Sequence, residues 1–331
     1  MNCLHLRARR LWIAAALAFL LPWLPQARAQ TAAWPDKPVR IVVPFGAGGS
    51  TDALARIVGE KLSAAIGQPV VIENRAGAAG AIGAASVAKA PADGYTLLIA
   101  TSSTHAVLPN LRSLPYDVQR DFTPVARLAT APNVLVVSPQ LKVGSVAELV
   151  ALAKQRALPM NYSSSGNGSV THLIGADFAQ RAGVRTTHVP YKTGIQALPD
   201  LHGGQIDFAF DSIVWTLPQS QAGKVKALAI GSAQRSPLAP DLPTLREAGF
   251  ADFDGTTWFA LMAPAGLDAA IVERLNREVN AVLRDPDLRA QFQRQGAEAL
   301  GGTPQELSAL VREDGQRWAS VIRTGGIKID Q

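Results

Sequence analysis

The sequence predicts an α/β fold in two domains, and three observations carry that prediction. Apolar, strand-like runs alternate with amphipathic segments, the pattern of βαβ units that builds a largely parallel sheet covered on both faces. With an amino-terminal leader of 29 residues set aside, 302 of the 331 residues remain, and a chain that is 47% hydrophobic has enough apolar side chains for two cores. A strand, a loop of small residues and a helix near residue 39 recur in the same order near residue 160. Placed in different domains, the two loops would turn two helix N-termini toward one cleft.

The leader comes first. Arg7, Arg9 and Arg10 form a basic start, "LWIAAALAFLL" an apolar core, and Ala27-Arg28-Ala29 a small-x-small processing site, so cleavage is expected before Gln30. The apolar core is shorter than the about 20 residues a spanning helix needs. Cys3 departs with the leader, and the mature chain then has no cysteine and no disulfide. Four of the 32 basic residues depart too, leaving 28 against 26 acidic ones, a net of +2. No basic cluster remains to suggest nucleic acid. A soluble, exported protein of the periplasm is expected.

Along the mature chain, "VRIVVPF" reads as a strand. Thr51 to Ile66 reads as a helix with Leu54, Ile57, Val58, Leu62 and Ile66 on one face and Gly67 as its stop. "PVVIENR" is a second strand, a Gly/Ala-rich helix runs to about Lys89, and "ADGYTLLIAT" gives a turn and a third strand. After "NVLVVSP", Ser145-x-x-Glu148 is a capping box that opens a helix. The stretch 158–183 is strand, small-residue loop and helix, ending at Gly183. "VRTTHVPYK", "QIDFAFD", "VKALAIG" and "TTWFALMAP" supply further strands. Two helices finish the chain, the first capped by Asp268 and the second opened by Thr303 with Pro304 at its first position. The runs 127–137 and 256–266 read as the crossings between domains. Domain one therefore takes 34–131 plus 257–331, and domain two 132–256.

What the glycine loop holds has three readings. A dinucleotide site wants G-x-G-x-x-G; Gly46 and Gly48 fit, Thr51 does not, and Glu73 stands about 20 residues on. A penicillin-recognising acyl-serine enzyme wants S-x-x-K, S-x-N and K-T-G, which Ser86–Lys89, Ser165–Asn167 and Lys192–Gly194 supply in order. Ser86, however, lies late in its helix rather than at the start, and Lys192 follows Asn167 by only 25 residues. The third reading is binding without chemistry: backbone N–H groups at a helix start clasp a carboxylate, with glycine allowing close approach. Each charge-assisted hydrogen bond contributes roughly 1.5–3 kcal/mol, and micromolar binding needs about 8 kcal/mol, so four or more such bonds suffice.

The residues also carry a resemblance. "WPDKPVRIVVPFGAGGSTDALAR", "VVIENRAGAAGAIGA", "ADGYTLLIATSSTHAVLPNL", "HVPYKTG", "GGQIDFAFD", "RSPLAPDLPTLREAG" and "WFALMAPAG" resemble the Bug family, the extracytoplasmic solute-binding proteins of tripartite tricarboxylate transporters. The likeness runs along nearly the whole mature chain. It implies a two-domain periplasmic-binding-protein fold of type II, a Venus flytrap, that closes on a small organic carboxylate and docks on membrane permease subunits. It implies no cofactor, no metal and no catalysis, and a monomer is expected. The carboxylate grip carries over to Phe45, Gly46, Ala47, Gly48, Gly49, Ser50 and Asp52 in the first loop. In the second loop it carries over to Ser164, Ser165, Gly166, Gly168, Ser169 and His172. Thr101 and Ser103 follow a strand ending at the cleft, and Tyr191 and Asp211 end strands in domain two. Three departures from the family pattern, Ala76, Ala81 and Thr193, bear on the far side of the pocket.

Plainer roles stand beside these. The plainer role of Asp52 is its helix's cap, that of His172 a support for its loop, and that of Tyr191 a core residue. Asp211, if it faces the cleft, favours a ligand with an amino or hydroxyl group. Trp258 is expected near the hinge. The alternative roles are a sensor that presents its loaded form to a membrane kinase and the acyl-serine enzyme at Ser86.

Overall fold

The computed structural model describes residues 34–325 and 327. The leader and its cleavage site before Gln30 lie outside the described residues.

The strands are β1 (Val39–Val43), β2 (Val70–Asn74), β3 (Thr96–Thr101), β4 (Phe122–Val137), β5 (Met160–Ser164), β6 (Thr186–Pro190), β7 (Phe208–Ser212), β8 (Lys226–Ile230), β9 (Thr256–Pro264) and β10 (Glu298–Ala299). The helices are α1 (Ser50–Ile66), α2 (Ala81–Ala88), α3 (Val146–Gln155), α4 (Val170–Ala182), α5 (Leu198–Gly203), α6 (Ile213–Gln221), α7 (Ala269–Arg284), α8 (Pro286–Gln295) and α9 (Pro304–Gly325). The sheet runs β2-β1-β3-β9-β4-β7-β5-β6, with β8 and β10 each pairing to β4.

The sheet is parallel on its flanks and antiparallel in its middle. β1 pairs parallel with β2 and β3, and β5 pairs parallel with β6 and β7. Between them, β9 and β4 run antiparallel to their neighbours. These are the two segments read as crossings. Pro132 is the last β4 residue paired to β9, and Asn133 the first paired to β7. A single sixteen-residue strand thus belongs to both halves of the sheet. Helix crossovers cover both faces of the parallel flanks, so β1, β3 and β7 are buried almost continuously along their length and not at alternate residues.

Local chemistry explains the helix limits. α1 buries Leu54, Ala55, Val58, Leu62 and Ile66, and Gly67 closes it at φ 71°, its N–H donating to Ser63 O at 3.1 Å. Ile57 is only half-buried. Ser145 Oγ accepts from Glu148 N at 3.2 Å, while the Glu148 carboxylate takes the Gly144 amide rather than the Ser145 one. At Thr303 the capping box is reciprocal: Thr303 Oγ1 accepts from Glu306 N, and Glu306 Oε2 from Thr303 N.

The carboxy-terminal segment holds three helices where two were expected. Asp285 precedes Pro286 and is driven out of the helical region, to ψ 123°, ending α7; its carboxylate then caps α8 through Asp287 N at 2.7 Å. α6 was also unexpected, because Pro218 lies inside it and reads as a breaker.

α9 is tied to the sheet by a buried acid. Trp258 Nε1 donates to Asp314 Oδ2 at 2.7 Å, and Arg317 holds Asp314 Oδ1 at 2.7 Å. Asp314→Ala should cost about 2–4 kcal/mol, since it strands a buried indole N–H and an ion-pair partner. Asp314→Asn keeps an acceptor and should cost less. Urea unfolding of the three proteins checks this; equal midpoints for Ala and wild type would refute it.

Candidate ligand-binding site

Strand ends converge on one narrow cavity, with about 50 Å³ of water-accessible space. The carboxyl ends of β1, β3, β5 and β7 all point into it, as expected for ligand sites in open α/β sheets. β4 and β9 supply its floor with Asn133, Thr257 and Phe259.

The first loop turns on Asp52. This side chain is buried and accepts from the Gly48 amide at 2.9 Å, Arg56 Nε at 3.0 Å and Asn74 Nδ2 at 3.0 Å. Burial alone would raise its pKa, but the bonds from Arg56, Gly48 and Asn74 outweigh that and hold it below the usual carboxylate range. Gly48, at φ 81°, is the residue that lets the loop fold back. Asp52 is thus a loop organiser, and the Gly48 amide is already engaged. What the loop presents is the start of α1. Its N-cap is Gly49, which has no side chain to occupy the first-turn amides, and Gly49, Ser50 and Thr51 line the cavity with Phe45. Gly46 and Ala47 do not line it; Gly46 instead packs against Thr193, where an added Cβ would come within 2.8 Å of Thr193 Cγ2.

The second loop uses its own amides. Ser165 N donates to Thr171 Oγ1, Gly166 N to Ser164 Oγ, Gly168 N to His172 Nδ1, and His172 N to Ser169 Oγ, all at 3.0–3.2 Å. Val170 N donates across the cleft to Ser103 Oγ at 2.9 Å. The expectation that both helix starts offer free amides to one anion therefore meets a different arrangement: the α1 start has no side-chain cap, whereas the amides named here at α4 are bonded within the protein. From this loop Ser165, Val170 and Thr171 line the cavity, while Ser164, Gly166, Gly168, Ser169 and His172 stand behind it. His172 stacks on His188 with ring centroids 3.8 Å apart, and burial holds both neutral, their pKa values pushed down to about 3 and about 4.

Thr101 and Ser103 line the cavity from β3 and the turn after it. Tyr191 does not; its hydroxyl donates to Asp200. Asp211 does, fully buried at the end of β7, with Oδ1 accepting from Ser212 N at 2.7 Å and Oδ2 only a long 3.5 Å contact from Ser165 Oγ. Burial pushes its pKa up to about 6, and the nearby Trp215 and Ser212 N–H groups and the Ser165 hydroxyl pull the other way. Asn133, Thr193, Gly194, Ser212, Trp215 and Thr257 complete the lining and were not anticipated, although Thr193 stood out as a departure. Trp258 lies on β9, where it pairs with Thr130 of β4 and its N–H reaches Ser102 Oγ; the tryptophan in the cavity is Trp215.

None of the described residues lining the cavity is Lys, Arg or His. An anion here would be held by neutral donors, helix-start amides, hydroxyls and the Trp215 N–H, without a charged side chain. Nor do the described residues include three or more His, Cys, Asp or Glu grouped to hold a metal. Ser86 lies outside the cavity, its hydroxyl bonded to Gly83 O, and Glu73 is paired with Arg40 and Arg75.

Comparison with known proteins gives consistent matches. Residues 54–327 match the model of the tripartite tricarboxylate transporter family receptor. BugT of Bordetella pertussis is 39% identical over 298 residues, 89% of this chain and 91% of that one. Among solved structures, Rpa4515 of R. palustris with adipate superposes with a TM-score of 0.86 at 41% identity, covering 89% of this chain and 99% of that one. MatC of Rhodopseudomonas palustris with bound malate gives 0.83 at 35%, covering 87% and 100%. The fold is that of the periplasmic binding proteins, α/β and two-domain.

Asp211 yields a stability test. Its folded pKa lies above the unfolded one, so the charged form is disfavoured on folding. Stability is lost as pH rises from about 4 through about 6, by about 3 kcal/mol at most. Asp211→Asn should remove that component, so that its stability relative to wild type grows over this range. The buried histidines act oppositely but equally in both proteins. Urea melts at pH 4.5 and 7.5 check this, and parallel curves would contradict it.

Proposed function

Because the chain belongs to the family of tripartite tricarboxylate transporter receptors, we propose that it captures a small organic carboxylate in the cavity at the strand ends and delivers it to a membrane permease of that transporter type. One observation carries the reading: the start of α1, uncapped by any side chain, opens into a buried polar cavity that has no cation on its walls. A seventeen-residue helix places a partial positive charge at that point, and a carboxylate is the simplest anion that fits there. Relatives solved with adipate and with malate support it.

In this reading the halves 34–131 plus 257–331 and 132–256 close on the ligand, swinging about β4 and β9. Phe45, Gly49, Ser50, Thr101, Ser103, Ser165 and Asp211 touch it directly or through water. The other expected residues, Gly46, Ala47, Gly48, Asp52, Ser164, Gly166, Gly168, Ser169, His172 and Tyr191, shape the loops around it. The protein works as a monomer in the periplasm after removal of the leader, and it makes and breaks no covalent bond. Among the described residues no helix is long and apolar enough to cross a membrane.

The test is a thermal-shift screen of organic acids, aliphatic and aromatic, on the mature protein. An acid at 100 times its Kd adds about 2.7 kcal/mol, which raises Tm by roughly 5–10 °C at about 2–4 °C per kcal/mol. Gly46→Val should keep the fold and abolish the shift, because its side chain meets Thr193 before the cleft can shut. The same binding should change the fluorescence of Trp215 and lose that signal in Trp215→Phe. A valine variant that binds with unchanged affinity would defeat the assignment of the cleft.

A further inference from the structure

The walls of the cavity beyond the α1 N-terminus hold acceptors that a plain carboxylate leaves unpaired. Asn133 is fully buried, and its amide nitrogen donates to Gly255 O at 2.7 Å and to Thr257 Oγ1 at 2.9 Å. The Gly255 carbonyl can only accept, so the orientation of the amide is fixed and Oδ1 is the atom left over. It has no hydrogen-bond partner. Asp211 Oδ2 has only the 3.5 Å contact with Ser165 Oγ, too long for a good bond. Both residues are more than nine-tenths buried and both line the cavity. Beside Asp211, the Trp215 indole N–H lies near the carboxyl without hydrogen-bond geometry and is itself unpartnered. Gly194 keeps this corner open: a side chain there would collide with Asp211 Oδ2 and with the Trp215 ring.

A carboxylate brings only acceptor atoms. It can pair with the α1 amides, the Trp215 N–H and the Thr101 and Thr193 hydroxyls, but it has nothing for Asn133 Oδ1 or Asp211 Oδ2. A second carboxylate in this corner would also place two negative charges together in a buried site. A hydroxyl donates to one of these acceptors and accepts from Trp215. An ammonium donates to both and neutralises the acid.

Resting on the reading of the cleft as a carboxylate site, we propose that the acid taken up carries a hydrogen-bond donor, a hydroxyl or an ammonium group, close to its clasped carboxylate, and that Asp211 and Asn133 select for it. Acids with a bare hydrocarbon chain are then the poorer ligands.

Calorimetric titration of the mature protein at pH 7.5 with matched acids tests this. Each pair or trio shares one carbon skeleton and differs only in the donor: propanoate, lactate and alanine; succinate, malate and aspartate; benzoate, salicylate and anthranilate. In every set that binds, a donor-bearing member should bind at least tenfold more tightly than its parent. Asp211→Asn should reduce that preference at least tenfold for an ammonium ligand and less for a hydroxyl ligand, which tells the two donors apart. A parent acid that binds as tightly as its hydroxyl and amino analogues overturns this inference and leaves the carboxylate reading standing. Asp211→Asn with the preference undiminished for both donors also overturns it. Failure of every acid in all three sets overturns the carboxylate reading and the inference together. The matched comparison needs only wild-type protein, so a variant that misfolds does not blunt it.

Discussion

Asp52 gathers the Gly48 amide, the Arg56 guanidinium and the Asn74 amide onto one buried carboxylate, and the shape of the first loop follows from that. With Gly48 drawn back, the chain enters α1 through Gly49, the first-turn residues line the cavity, and no side chain caps the helix start. A serine at position 49 would bond to its own helix, as Ser169 does at the start of α4. The two glycine loops look alike in sequence and differ in use. One leaves a helix start open, and the other closes its helix start with Ser169, His172 and, from the opposite half, Ser103.

That difference accounts for the electrostatics of the cleft. A site for an anion without lysine or arginine avoids a long, fully charged side chain that would have to be buried each time the cleft shuts. Dipoles of fixed direction do the work instead, with little reorganisation. Asp211 then looks misplaced, since among the described residues it is the only ionisable side chain lining a cavity read as an anion site. Its burial raises its pKa to about 6, so near neutral pH it is charged but strained. A ligand that brings a donor relieves that strain, and one that brings only oxygen atoms does not. In the proposed reading, the same residue lowers the stability of the free protein and sharpens the choice among acids.

The fold was largely legible because its signals are local. β9 spans the same nine residues as "TTWFALMAP", the helix stop at Gly67 needs only a left-handed residue, and the caps at Ser145, Asp268 and Thr303 are two- to four-residue patterns. The extra helix α8 was missed because Asp285-Pro286 both ends one helix and begins another. The lining of the candidate cavity was legible at the ends of parallel strands, at Phe45, Gly49, Ser50, Thr101, Ser103, Ser165 and Asp211. Asn133 and Thr257 are different. They come together only because β4 changes partner at Pro132–Asn133 and β9 begins at Thr256 opposite it. Nothing short in sequence announces a junction between segments more than a hundred residues apart. Trp215 hid behind Pro218, and Thr193 was visible only as a departure from a pattern.

Thr193 ties the size of the cavity to closure. Its methyl group lies where a side chain on Gly46 would have to go, and its own hydroxyl is buried without a partner. The Ser103–Val170 bond and the approach of Gly166 to Ala79 join the same two halves. The cavity beside these contacts is narrow, with about 50 Å³ of water-accessible space. A ligand bound between the halves shifts the population toward a closed form only by as much as it prefers that form to the open one. In the proposed reading, the unpaired atoms of Thr101, Asn133, Thr193 and Trp215 provide that difference. In the open form water reaches them, and in the shut form a ligand of the right polarity must replace it. Closure around the wrong acid leaves them buried and unsatisfied, so the penalty for a poor ligand falls on the closed state, the form a permease must recognise.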